Sequence, residues 1–147
     1  MVMGVKEIRE QFNPANTSEC IGKIELHSIE ETEAKIEATE RAFQNWSNMS
    51  SVARGEILHK MADVLMEHIE PLAELASKEM GKTFPEMIGE VKRGASILRY
   101  FSQEGMRATG EVLPSVSEEK MIYTKRVPLG VVALITPWNF PIAIPLW

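Results

Sequence analysis

Cysteine is almost absent: Cys20 is the only one in 147 residues. One thiol cannot form an internal disulfide, so a reducing cytoplasm is the expected setting. Aspartate is equally scarce, with Asp63 alone among many glutamates. Glutamate suits helix surfaces and aspartate suits caps and loops, so the bias points to a helix-rich chain. No stretch is apolar for long enough to span a bilayer. The charged start, Met1–Gln11, lacks the apolar core of a signal peptide. Without a secretion signal, the Asn-x-Ser/Thr triplets at Asn16, Asn45 and Asn48 read as chance matches. A net charge of −5 argues against a nucleic-acid partner.

Several catalytic signatures are missing too. There is no G-x-G-x-x-G, no G-x-S-x-G, no H-E-x-x-H and no cysteine pair. Gly81-Lys82-Thr83 has the ending of a phosphate-binding loop, but Ala76 stands where that loop needs glycine. His27, His59 and His68 are scattered and read as surface residues. Cys20 lies near an apolar stretch with no activating neighbours, so it reads as a small buried hydrophobe.

What remains is an ordinary globular composition, 44% hydrophobic and 25% charged. Asn13-Pro14-Ala15-Asn16 reads as a turn, and Ile21, Ile24 and Leu26 mark a short strand. Ser28 and Glu31 form a capping box for a helix running to about Trp46, with Ile29, Ile36 and Phe43 on one face. Ser51 is placed to cap a second helix carrying Ile57, Leu58, Met61, Val64, Leu65 and Met66. Pro71 opens a third, and Gly81 ends it. Thr83 and Glu86 form a second capping box. The fourth helix then shows Phe84, Ile88, Val91, Ala95, Leu98 and Phe101 at steps of three and four, and is taken to include Gly89, Gly94 and Gly105. Glycines there weaken a helix, so close backbone packing is the expected return.

Gly110 closes the helical half. Met121–Val127 alternates as a strand does, with Glu111–Leu113 as a partner. Val131–Ile135 is a continuous apolar run, the pattern of a strand buried on both faces in a parallel sheet. No other strand of that character occurs in the 147 residues. The run is therefore expected to belong to something larger or to pair with copies of itself.

Pro128-Leu129-Gly130-Val131-Val132-Ala133-Leu134-Ile135-Thr136-Pro137-Trp138-Asn139-Phe140-Pro141 carries the chemistry. Ligand crevices in open α/β sheets lie beyond the carboxyl ends of strands, which is where Asn139 falls, between two prolines. Its amide offers two N–H donors and does not ionise. A fixed donor for an oxyanion fits; so, on physical grounds alone, does a turn asparagine beside a core Trp138. The stretch closely resembles a signature of the aldehyde dehydrogenase superfamily. The likeness extends upstream through Asn13-Pro14-Ala15, Arg54, Glu79-Met80-Gly81-Lys82 and Leu98-Arg99-Tyr100-Phe101, covering about Phe12 to Trp147.

The resemblance implies a fold and a site. The expected class is α/β: a helical N-terminal layer (residues 1–110), a β-hairpin oligomerisation arm (111–127), and the first strand and catalytic-loop segment of a Rossmann-like cofactor domain (128–147). Members of this family attack an aldehyde with a cysteine thiolate, pass hydride to NAD or NADP, and hydrolyse the thioester with help from a glutamate. By resemblance Asn139 is the side-chain half of the oxyanion hole. Ile135, Thr136, Pro137 and Trp138 line the cofactor cleft, and Phe140 and Trp147 line the substrate tunnel, with plain packing as the alternative for the last two. Arg93 is a candidate partner for a substrate carboxylate, or else an exposed helix arginine.

The helical half looks most like the semialdehyde dehydrogenases, whose substrates carry a second acid group. Family chains are several times longer, and their nucleophile and base come after the position of Trp147. The chain is therefore expected to be an N-terminal portion, inactive alone, of a soluble homo-oligomeric enzyme acting on a small aldehyde. A non-catalytic self-associating module and a regulatory partner of a full-length enzyme are the rival expectations.

Overall fold

A computed structural model describes residues 7–147; the first six, part of the charged Met1–Gln11 start, lie outside the described residues. The order of elements is β1 (Ile8–Asn13), β2 (Asn16–Glu25), α1 (Ile29–Asn48), α2 (Ser51–Glu67), α3 (Ile69–Met80) and α4 (Phe84–Ser102). A 3-10 turn at Glu104–Met106, the two-residue strands β3 (Val112–Leu113) and β4 (Ile122–Tyr123), and a second 3-10 turn at Ile144–Leu146 follow. The architecture is α/β.

The core lies where α2 and α3 pack on α4. Met87 and Val91 of α4 are fully buried against Ala73 and Ala76 of α3. One turn on, Ala95 and Leu98 meet Ala62 of α2. Small residues on α2 and α3 facing larger ones on α4 let the helices approach closely. Burying a side chain the size of Met87 or Val91 stabilises by about 1.5–3 kcal/mol. The expected stripe on α4 is displaced at both ends, since Phe84 and Phe101 are exposed.

The first two strands form an antiparallel hairpin around the expected Asn13–Asn16 turn, with Asn13 Oδ1 accepting from the Ala15 N–H at 2.9 Å. β1 has no counterpart in the sequence reading, because Arg9, Glu10 and Gln11 mask its alternation. Glu19 ties the hairpin to α3 through Lys78 at 3.2 Å. The Asn13 amide, and then Lys78, hold its carboxyl below the usual range. Cys20 is exposed rather than buried, because it stands at the open rim where β2 passes Pro71, Glu74 and Lys78 of α3; its Sγ contacts the Gly22 carbonyl.

The Ser28–Glu31 capping box is present on α1, but no residue of this helix is buried. Ile29 and Ile36 stay exposed. Ser50, one residue earlier than expected, caps α2 by accepting from the Ala53 N–H. Gly105 falls in the 3-10 turn after α4, and α-helix ends at Ser102 rather than near Gly110. His27, His59 and His68 are all at the surface.

The β3–β4 pair forms as expected, and backbone bonds extend it to Thr109 and Arg126. Glu104 anchors this arm to the end of α4, meeting Arg107 at 3.2 Å and Arg126 at 3.3 Å. Val131–Ile135, by contrast, is neither paired nor buried: Ile135 is 96% exposed. A strand needs a ladder partner, and none of the described residues supplies one.

Candidate functional site

Local order at the α3–α4 corner starts with Gly81, which caps α3 in the left-handed region at φ 85°. Lys82 follows, its carbonyl held by the Ser77 hydroxyl. Thr83 then starts α4, donating both its N–H and its hydroxyl to the Glu86 carboxylate at 3.0 and 2.6 Å. Those two donors hold the Glu86 carboxyl below its ordinary value. The corner is thus rigid on both sides of Lys82.

Lys82 reaches the Asn139 turn. Its ammonium donates to the Asn139 carbonyl oxygen at 2.5 Å and sits 3.7 Å from the centre of the Phe140 ring. The same nitrogen lies 3.2 Å from Oε2 of Glu90. The Glu90 side chain is 1% exposed. Its other oxygen accepts the N–H groups of Ile142 at 2.8 Å and Ala143 at 3.2 Å. A carboxylate this deep needs full pairing, and two amides with one ammonium supply it. Gly94, one helical turn further along α4, leaves room for the segment: a Cβ there would stand 3.0 Å from Leu146 Cδ1. This is the close packing expected of the α4 glycines, and only Gly94 among Gly89 and Gly94 shows it.

Asn139 itself is exposed. Its backbone oxygen is held, while its side-chain amide makes no hydrogen bond among the described residues. A held backbone with a free amide is what a donor to an outside oxygen requires. Ile135, Thr136, Pro137 and Trp138 precede it on one stretch that is exposed among the described residues, Trp138 at 85%.

Arg93 and Trp147 form a second cluster. The guanidinium lies 5.8 Å from the Trp147 ring centre, within cation–π range. Both line an open cavity of about 310 Å³ with Ser96, Ile97, Tyr100 and Phe101. Phe140 is not part of that lining; it lies under Lys82 instead. The structure therefore brings Arg93 to Trp147, and Phe140 to Lys82.

Lys82 and Glu90 were not singled out as site residues from sequence. Lys82 stood only inside a failed phosphate-loop pattern and a stretch of family likeness. A signal for Glu90 existed: it falls three residues after Met87 and four before Gly94, an acid within the buried face of α4.

Known proteins resemble this chain in sequence and in fold. The Aldehyde dehydrogenase family pattern matches residues 2–147. An alpha-ketoglutaric semialdehyde dehydrogenase of Bacillus subtilis (strain 168) is 44% identical over 135 residues, which is 92% of this chain and 28% of that protein. An NADP(+) succinate-semialdehyde dehydrogenase of Escherichia coli (strain K12) is 37% identical, over 90% of this chain and 27% of that protein. Among solved structures, an NADP-dependent enzyme of E. coli superposes with a TM-score of 0.90 at 36% identity, covering 95% of this chain and 29% of that one. Betaine aldehyde dehydrogenase of Staphylococcus aureus in complex with NAD+ gives 0.89 at 32% identity, over 95% and 28%. The chain belongs to the aldehyde dehydrogenase family, and it spans a little over a quarter of the length of the relatives it matches.

Proposed function

We propose that this chain provides the oxyanion donor and one wall of the cofactor and substrate sites of an NAD(P)-dependent aldehyde dehydrogenase that oxidises a semialdehyde acid to a dicarboxylic acid. The observation that carries the reading is the free Asn139 amide on a turn whose backbone is held from below. As a nucleophile adds to the aldehyde carbon, its carbonyl oxygen gains negative charge. The Asn139 amide donates to that oxygen and binds it more tightly as charge builds, which lowers the barrier.

From Val127 to Thr136 no backbone–backbone hydrogen bond is made among the described residues. Ile135, Thr136, Pro137 and Trp138 are the residues that would face a nicotinamide cofactor. They fit as one side of a cleft, and the cofactor's part is to accept hydride from the substrate carbon. The NAD+ and NADP(+) relatives leave both nucleotides as candidates.

Arg93, beside Trp147 at the rim of an open cavity, is proposed to take the second carboxylate of the substrate. A guanidinium matches a carboxylate with two parallel donors and keeps its charge at any working pH. The only thiol, Cys20, lies on β2 against α3, not beside Asn139, so the nucleophile is proposed to come from outside these residues. Residues 111–127 are proposed as an oligomerisation arm and 128–147 as the opening segment of the cofactor domain.

The test is a fusion of these 147 residues to the remainder of the B. subtilis relative, with the unfused chain as control. The fusion should oxidise acid-bearing semialdehydes with NAD+ or NADP+, and the unfused chain should not. Arg93→Gln should raise KM for the acid substrate roughly tenfold or more, in line with the loss of one charged hydrogen-bonded contact, and leave neutral aldehydes unaffected. A folded fusion with no turnover, or a variant that treats both substrates alike, counts against the assignment.

Unpaired Val131–Ile135 should also make the isolated chain self-associate at micromolar concentration. A sharp monomer boundary in sedimentation velocity would refute that.

A further inference from the structure

We propose that Lys82 and Glu90 act together as a positioning strut that sets the direction of the Asn139 amide. This role rests on the reading of Asn139 given above. A buried glutamate is not needed to build α4, since an apolar residue of similar size would pack there without losing hydration. Its charge is useful only to groups outside the helix, and every partner it has points to the same loop. Oε1 takes the consecutive N–H groups of Ile142 and Ala143. Oε2 takes Lys82, whose ammonium also holds the Asn139 carbonyl and faces the Phe140 ring.

The loop is therefore gripped at residues 139, 140, 142 and 143 by two side chains. Those side chains stand on the most rigid part of the fold. Lys82 lies between the left-handed cap of α3 and the capping box of α4, and Glu90 lies between the fully buried Met87 and Val91. The grip is all on backbone and ring, so the Asn139 amide stays free while its Cα is restrained. Rigid support for a donor that must meet a charge developing in one place is what the chemistry demands, because a shift of an ångström weakens such a bond severely. Lys82 and Glu90 touch no reacting atom in this scheme; they work through Asn139.

Hydrogen–deuterium exchange of the 147-residue chain tests this, following one peptide over residues 139–147 and one over 86–102. Lys82→Met and Glu90→Gln should each speed exchange in 139–147 by about tenfold, the loss of one hydrogen bond's net worth, and leave 86–102 unchanged. Lys82→Arg, which restores a cation with several donors, should restore protection. Glu90→Gln removes the buried charge and keeps an acceptor for the Ile142 and Ala143 N–H groups, so it holds the fold even if Lys82→Met does not. Unchanged exchange at 139–147 in Lys82→Met overturns the strut. So does an equal rise across both peptides, which would mark a merely structural pair.

In the fusion protein, Lys82→Met should lower kcat about tenfold at nearly constant KM. A fall confined to KM would overturn the positioning role. Failure of the Asn139 reading looks different: Asn139→Ala would then leave turnover intact while the exchange results above stand.

Discussion

Asn139→Ala, made in a full-length dehydrogenase that carries these residues, should lower kcat by roughly a hundred- to a thousandfold. The loss belongs to the transition state. The amide donates to an oxygen that is only weakly basic in the bound aldehyde and becomes an alkoxide on attack, so KM should change little. Stability should change even less. The side chain is exposed and makes no hydrogen bond among the described residues, so its removal breaks no contact of the folded chain. The contrast between kinetics and melting is the diagnostic. A variant that keeps most of its turnover would remove Asn139 from the mechanism, and a variant that melts many degrees lower would recast it as a structural residue.

Gly55→Ala should be the most damaging glycine-to-alanine change within helices α1 to α4. Gly55 sits in α2 where the backbone of Ser102 closes α4 against it, and a Cβ there would lie 2.0 Å from the Ser102 carbonyl oxygen. Backbone cannot rotate aside as a side-chain tip does, so the two helices must separate and the Ala62–Ala95–Leu98 contacts behind them must open. Overpacking of this kind costs about 3 kcal/mol. Alanine's better helix propensity offsets about 1 kcal/mol of that. Gly89→Ala is the matched control. Nothing lies within 4 Å of a Cβ at Gly89, so only the propensity gain acts and stability should rise by about 0.5–1 kcal/mol. Urea titration of both variants decides the matter. Similar midpoints would mean that the α2–α4 approach is looser than the geometry states.

The elements whose identity depends on local chemistry were legible in the chain. Ser28 with Glu31 and Thr83 with Glu86 announced two helix starts, and Gly81 announced a helix end, because those residues satisfy orphan backbone groups within a few positions of themselves. The β3–β4 pair was legible for a similar reason, since the alternation of Met121–Val127 finds its partner only a few residues back, at Glu111–Leu113. Asn139 was legible because two flanking prolines and a long apolar run bracket it in sequence.

What failed depended on neighbours far along the chain. The apolar face of α1 carries every local sign of burial, yet Ile29 and Ile36 stay open because nothing among the described residues covers them. Cys20 was expected inside and lies outside, at the rim of the contact between β2 and α3. Glu90 carried no reading from sequence, and tertiary structure buried it beneath a loop 52 residues away.

The sequence by itself determined the helices, the turn chemistry and the family, because those are written in spacings of a few residues or in one unbroken motif. Only the tertiary structure decided that Lys82, Glu90 and Asn139 form one unit. Ion pairs and amide–carboxylate bonds act over about 3 Å, and no spacing rule within a single helix or loop shows which distant groups the packing of α3 and α4 will bring within that reach.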